Sequence, residues 1–347
     1  MPFDRFMEVS LYDPAEGYFA AGVVRSEKDG DFLTSPEVSP LFGETLARFV
    51  AAERDRIGEP FSVVEVAAGT GSLLRPLLDA LADPVAAVAV EVSASARRRL
   101  GEAVPEAVVV DAFDAVLDPL RGVVIANELL DNLPAAVAVR RGGGWMERAV
   151  IVGDDGLGYA EVEARPEVAS WADLHAGSVT DDGVVEVQLA AGAWLRKVLS
   201  RLTGGTVVVV DYGDTTDGLA SRRDEGTIRT YRGHHLGPDP LLEPGATDIT
   251  MDVDFSALMR VAVDAGAEVR LHRQADFLTE WGIREALAEL RVAELDAARR
   301  GDAMHRAALR SRVVDAEALL HPRGLGDFGV LEARVGSHES EKISGDR

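Results

Sequence analysis

The 347-residue sequence contains no cysteine. Disulfides, cysteine nucleophiles and thiolate-held metals are excluded together. Positive charge is scarce: 36 Lys and Arg stand against 59 Asp and Glu, a net charge of −23. So acidic a chain repels phosphate backbones, and no nucleic-acid partner is expected. A cationic ligand is not opposed. Lysine occurs only at Lys28, Lys197 and Lys342, a bias we attribute to coding composition. No run of about 18 apolar residues occurs, so neither a transmembrane helix nor a membrane partner is expected. The opening stretch MPFDRFMEVSLYDPAEGYF has early acids and no basic segment followed by an apolar one. It reads as neither a secretory signal nor an Arg-rich transit peptide, and the expected location is cytoplasmic. The His residues are scattered, there is no HExxH, and adjacent side chains such as those of His234 and His235 usually point in different directions, so no metal is expected.

What is present is a large apolar fraction, 47% of residues, enough for a substantial core. From residue 61 the chain alternates between short apolar runs and helical patterns. FSVVEVA, VAAVAVEVS, AVVVDAF and GVVIANEL read as strands, and GSLLRPLLDALA and SASARRRLGEAV as helices. Strands of this kind separated by helices imply βαβ units, and right-handed crossovers make a doubly wound sheet. Before them, residues 36–56 carry Leu41, Leu46, Phe49 and Val50 at helical spacing. After them, residues 137–163 read as one or two hairpins. VVEVQLAAGAWLRKVLSRL reads as a helix entering the strand GTVVVVDYG at 205–213. Residues 214–250 are long for a structureless connection and read as a functional cover segment. A helix and strand follow over 254–274. Residues 283–320 are helical, FGVLEARV is the last strand, and 336–347 is a polar tail.

The strand FSVVEVA ends in a glycine turn that opens a helix, which brings backbone N–H groups toward a ligand. A tight turn with no ligand is the simpler alternative. No Lys completes a Walker loop. Gly69 and Gly71 are followed by Leu74, not by the third glycine of a dinucleotide loop. What remains is Glu65-x-Ala67-x-Gly69-x-Gly71. This resembles motif I of S-adenosylmethionine methyltransferases, where an acid suits a ligand with an ammonium and a sulfonium. Glu91 follows at about the separation expected for an acid that takes ribose hydroxyls. Asp111 ends the third strand, where it meets the adenine or merely forms a turn.

VIANELLDNLPAAV resembles the N-E-x-x-D-x-L-P signature of the MidA family. These are methyltransferases related to the mitochondrial complex I assembly-factor arginine methyltransferase. FDRFMEVSLYDPAEGYF, GDFLTSPEVSPLFGE, VVDYG, GTIRTYRGHH, PGATDITMDVDF and LGDFGVLEAR resemble further family blocks in the same order. Ala67 stands where the family has glycine, and Asp252 where it has histidine. The resemblance implies a Rossmann-like, seven-stranded class I methyltransferase sheet with its last strand antiparallel. An N-terminal helical cap and an inserted substrate-side module accompany it. The expected organisation is a cap and cofactor-covering loop at 1–57, a cofactor-binding core at 58–136, and an insertion of hairpin and helix at 137–204. The rest of the core spans 205–335, with a cover segment at 214–255 and helices at 283–320, before the tail at 336–347.

The implied reaction is methyl transfer from S-adenosyl-L-methionine to a protein arginine, leaving S-adenosyl-L-homocysteine. The implied acceptor is a respiratory complex I-type subunit or another protein, and the enzyme has room to be a homodimer. Asn127 is expected at the cofactor–substrate junction, with Glu128 or Asp131 gripping the guanidinium. If a helix begins there, those two acids share one face; the simpler reading makes Asp131 a helix cap. Gly30, Asp31, Thr34, Pro36 and Glu37 are expected to close over the cofactor, with Asp31 or Glu37 meeting the substrate or the cofactor amine. Thr34 or Ser35 also suits a helix cap. Tyr212 is expected to wall the adenine or substrate channel, and Asp252 to act on the substrate side. Arg229, Tyr231 and Arg232 suit an acidic partner or an internal carboxylate. Two other readings stay open: a cofactor-binding assembly chaperone without turnover, and a nicotinamide-dependent oxidoreductase, the latter disfavoured by Leu74.

Overall fold

A computed structural model describes residues 1–20, 34–154, 156–176, 178–232 and 235–336. Helix α1 (Phe3–Tyr12) buries Phe3, Phe6, Met7 and Leu11 on one face. Helix α2 (Ser35–Val38) is a single turn entered through Thr34. It is separate from α3 (Leu41–Ile57), so the helix expected over 36–56 is interrupted. Pro40 causes the break: the residue before a proline is pushed out of the helical region, and Ser39 is extended at φ −152°, ψ 132°.

The expected alternation then appears as β1 (Ser62–Val66), α4 (Leu74–Ala80), β2 (Ala86–Val90), α5 (Ala94–Ala103), β3 (Val108–Val110) and β4 (Leu120–Asn127). The next segment departs from the hairpin and helix expected there. Strands β5 (Ala136–Arg141), β6 (Gly144–Gly153) and β7 (Gly156–Glu163), helix α6 (Pro166–Ala176) and strand β8 (Val184–Val187) are its elements. The strands make an antiparallel sheet in the order β7-β6-β5-β8. VVEV was expected to start a helix and is instead β8, buried along its whole length. A four-residue apolar run carries no period that separates strand from helix. Helix α7 (Leu189–Arg201) leaves this module and leads into β9 (Leu202–Asp211).

Residues 213–254 hold short pieces: β10 (Gly213–Asp214), α8 (Thr216–Leu219), β11 (Arg229–Arg232), β12 (His235–Leu236), β13 (Asp248–Thr250) and β14 (Val253–Asp254). Strand β11 pairs with both β12 and β13 in a small antiparallel ribbon. The chain ends through α9 (Phe255–Asp264), β15 (Glu268–Arg273), α10 (Gln274–Glu280), α11 (Ile283–Arg299), α12 (Ala303–Ala318) and β16 (Gly329–Val335).

The main sheet runs in the order β15-β16-β9-β4-β1-β2-β3. Its strands are parallel except β16, which lies antiparallel between β9 and β15. This is the doubly wound sheet expected, with the antiparallel last strand. Successive strand residues face opposite sides. Val63, Val123, Ile125 and Val208 pack under Phe42, Leu46 and Phe49 of α3 and Phe277 of α10. Val64, Val124, Val207 and Val209 pack under Leu195 and Val198 of α7 and Leu258 of α9. Both faces are covered, which is why the strands read as unbroken apolar runs. The N-terminal elements divide between modules. Helix α3 joins the main core, whereas Phe3, Phe6, Met7 and Leu11 of α1 pack with Val137 and Val150 of the inserted sheet and with Ile249 and Met251.

Candidate active site

The carboxyl ends of β1, β2, β3, β4 and β9 border a cavity of about 590 Å³. In doubly wound sheets ligands bind at this edge, where the strand order reverses. The turn after β1 holds three residues in the left-handed region: Ala67 at φ 59°, Gly69 at 53° and Gly71 at 89°. Ala67 and Gly69 line the cavity. Gly71 does not. A Cβ there would meet Val104 Cγ2 at 2.9 Å and Leu100 Cδ1 at 3.0 Å, so its bareness serves the packing of α5 against the turn. The Gly69 N–H donates to Glu91 Oε2 (2.9 Å) and the Ser93 N–H to Glu91 Oε1 (2.7 Å). Burial pushes the Glu91 carboxyl above its usual range. Glu65 is also buried. Burial, with the Glu91 charge beside it, pushes its carboxyl well up. Asp111 lines the cavity beyond β3, close to Phe113 in the chain.

The second group of acids follows β4. Glu128 sits at φ 49°, and its N–H donates to Val210 O (2.8 Å). Its Oε1 accepts from Asn127 Nδ2 and from the Ser35 N–H, each at 3.3 Å. Burial and the neighbouring Asp131 push the Glu128 carboxyl up to about 8. Leu130–Asn132 is one 3₁₀ turn. The shared α-helical face expected for Glu128 and Asp131, and the capping role for Asp131, are therefore both corrected. The strained backbone at Glu128 and the short turn bring both side chains to the cavity instead. The Tyr212 hydroxyl donates to Asp131 Oδ2 (2.5 Å), and burial raises the Asp131 carboxyl. Asp211, fully buried behind them, accepts from the N–H groups of Leu130 (2.9 Å) and Asp131 (3.3 Å) and so fixes the turn.

Thr34, Pro36 and Glu37 line the same cavity, and Glu37 Oε2 accepts from the Thr34 N–H at 3.0 Å. Gly30, Asp31 and His234 lie outside the described residues. Asp252 does not line the cavity. It is buried, its carboxylate shared by Arg222 (2.5 Å) and Arg229. Of the two roles open to Arg229, holding an internal carboxylate is the one observed. An aromatic wall went unread in the sequence: Tyr12, Tyr18, Phe19, Trp194, Tyr231 and Phe328 also line the cavity. Tyr12 donates to Asn132 O (3.2 Å), and Asn132 Nδ2 to Asp248 Oδ1 (2.9 Å). Only the aromatic clustering of YDPAEGYF hinted at this.

Glu37 Oε1, Glu65 Oε2, Asn127 Oδ1 and Asp131 Oδ1 are buried and have no hydrogen-bond partner. All four residues line the cavity. An unmet buried polar atom costs about 1–3 kcal/mol, so the cavity suits a ligand rich in donors and positive charge. The ammonium, sulfonium and ribose hydroxyls of S-adenosyl-L-methionine meet that demand. A pyrophosphate would face these acids, which removes the nicotinamide reading. Among the described residues no group of three or more His, Cys, Asp or Glu is placed to hold a metal. No described helix is long and apolar enough to cross a membrane.

Comparison with known proteins agrees with this geometry. Residues 45–272 match the S-adenosyl-L-methionine-dependent methyltransferase family. A Burkholderia thailandensis protein solved bound to S-adenosyl-homocysteine is 33% identical, with 97% of this chain and 88% of that one covered and a TM-score of 0.84. The zebrafish (Danio rerio) protein arginine methyltransferase NDUFAF7, mitochondrial, is 27% identical over 98% of this chain and 85% of its own length. Its human (Homo sapiens) counterpart is 29% identical over 80% and 69%. The cytoplasmic location expected from the opening residues is corrected by the same comparison, because these relatives are named as mitochondrial. The chain belongs to the MidA-like family of S-adenosyl-L-methionine-dependent methyltransferases, and is an enzyme that uses this cofactor.

Proposed function

We propose that the enzyme methylates arginine side chains of proteins. The observation that carries this reading is the pair of buried carboxylates, Glu128 and Asp131, in one cavity, with Glu128 pushed up to about 8. Among the described residues neither carboxyl is paired with a basic side chain. A guanidinium keeps its charge at any ordinary pH and presents forked donors. The relatives named as protein arginine methyltransferases support the reading.

The bound cofactor supplies a methyl group on a positively charged sulfur. On the cofactor side, Glu91 takes the ribose hydroxyls, Glu65, Ala67 and Gly69 border the methionyl end, and Asp111 stands at the adenine. Thr34, Pro36 and Glu37 cover them. Asn127 stands at the junction with the acceptor. Asp131, fixed through Oδ2 by Tyr212, offers Oδ1 to the guanidinium. Glu128 holds a second nitrogen and receives the proton released as the N–C bond forms and the C–S bond breaks. The chemistry needs alignment and exclusion of water more than acid catalysis. The β11–β13 ribbon, through Arg229, Tyr231, Asp248 and Thr250, forms the acceptor side.

The test is transfer from methyl-labelled cofactor to arginine and lysine peptides and to a complex I-type subunit, with the product identified by mass spectrometry. Methylarginine is expected. Glu128→Gln should lower transfer by roughly 100-fold or more, the scale of a lost general base, while S-adenosyl-homocysteine still binds. Label found only on lysine, or full activity in the variant, would sink the assignment.

A further inference from the structure

The cavity is lined by acids, yet Arg229 of β11 is the one basic side chain among its described lining residues. Its position is built. The guanidinium lies 6.0 Å from the Tyr212 ring, and its Nη2 donates to Asp252 Oδ1. Asp252 is 2% exposed and is shared with Arg222. Its own backbone is tied down, with the N–H donating to Thr227 Oγ1 (3.1 Å) and the carbonyl accepting from Gln188 Nε2 (2.8 Å). Two guanidiniums on one carboxylate leave the trio with net positive charge. Arg229 keeps 39% of its side chain exposed.

We infer that Arg229 is the anion receptor of this cavity and takes a carboxylate carried by a bound ligand. Elsewhere the described wall offers such a group no cation: Glu65, Glu91, Glu128, Asp131 and Asp248 all border the space. A ligand bearing both a cation and a carboxylate can therefore seat in one direction only, its anionic end on Arg229. A guanidinium fork matches a carboxylate with two parallel donors. Because Tyr212 also donates to Asp131, Arg229 and the acids proposed to grip the acceptor share one aromatic ring between them. Two sources present this chemistry: the methionyl carboxylate of the cofactor, and an acidic residue beside the methylated arginine. The second rests on the function proposed above; the first does not.

The experiment titrates S-adenosyl-homocysteine and its decarboxylated analogue into the wild type, Arg229→Lys and Arg229→Gln. It also measures methyl transfer to arginine peptides with Asp or Asn next to the arginine. Asp252 keeps Arg222 in these variants, so no buried charge is orphaned. If the carboxylate is the cofactor's, Arg229→Gln weakens S-adenosyl-homocysteine by about 10-fold or more and leaves the analogue unchanged, with Lys intermediate. If it is the acceptor's, cofactor affinity holds and a KM preference for the Asp peptide disappears in Arg229→Gln. Selectivity in the titration with no peptide methylated would uphold the receptor and count against arginine as the acceptor. The inference is overturned if Arg229→Gln treats the acid and its analogue as the wild type does and no peptide preference changes.

Discussion

At the scale of single residues, the departures from glycine matter most. Ala67 occupies a left-handed conformation at φ 59°, which costs an L-residue roughly 1–2 kcal/mol. Ala67→Gly relieves it, less the extra unfolded-chain entropy of glycine. A stabilisation of up to about 1 kcal/mol is expected in urea denaturation; a lower midpoint would refute the strain. Glu128 makes a pH prediction. Its carboxyl is raised from 4.5 to about 8 in the folded protein, so between those values the folded state holds a proton that the unfolded chain has released. Stability from this group therefore falls as pH rises across that window. Glu128→Gln should lose less stability than the wild type between pH 5 and 8, and parallel curves would contradict the assignment. The strand-end acids Glu65, Glu91 and Glu128 were readable because the end of a buried apolar run is itself a location. Gly71 packs against Leu100 and Val104 and does not line the cavity; spacing does not reveal whether a bare Cα faces a ligand or a helix.

At the scale of elements, α2 is a strap. The Ser35 N–H reaches Glu128, while Ser35 Oγ donates to Gln274 Oε1 (3.0 Å) and Gln274 Nε2 donates to Leu319 O (3.2 Å). Gln274 is wholly buried. Gln274→Leu leaves the Ser35 hydroxyl and the Leu319 carbonyl unmet, at about 1–3 kcal/mol for a buried group. Chemical denaturation should register that loss, together with slower methyl transfer as Ser35 loosens from Glu128; an unmoved midpoint would show the strap to be idle. The main strands were legible because both sheet faces are covered. The inserted sheet was legible only in part. β8, β11 and β12 are too short to show a period, and β10, β13 and β14 depend on partners distant in the chain, so local pattern contains no trace of that pairing.

At the scale of the molecule, the cavity is assembled from segments far apart in the chain. Tyr12 ends the helix that buries Phe3, Phe6, Met7 and Leu11 against the inserted sheet, and Phe328 precedes the last strand. Strand ends, the β11–β13 ribbon and α7 supply the walls between. This is why the acids of the site could be read from local pattern and its aromatic wall could not. A ligand in the cavity contacts the native arrangement alone, so its binding is linked to the stability of every segment that borders it. At a hundredfold excess over Kd that linkage is worth about 2.7 kcal/mol. Limited proteolysis with and without S-adenosyl-homocysteine checks it: protection should extend to the N-terminal helix and the β11–β13 ribbon, and protection confined to residues 62–127 would refute it. A cell short of methyl donor would then hold not only an idle enzyme but a shorter-lived one, its abundance following the supply of the compound it consumes.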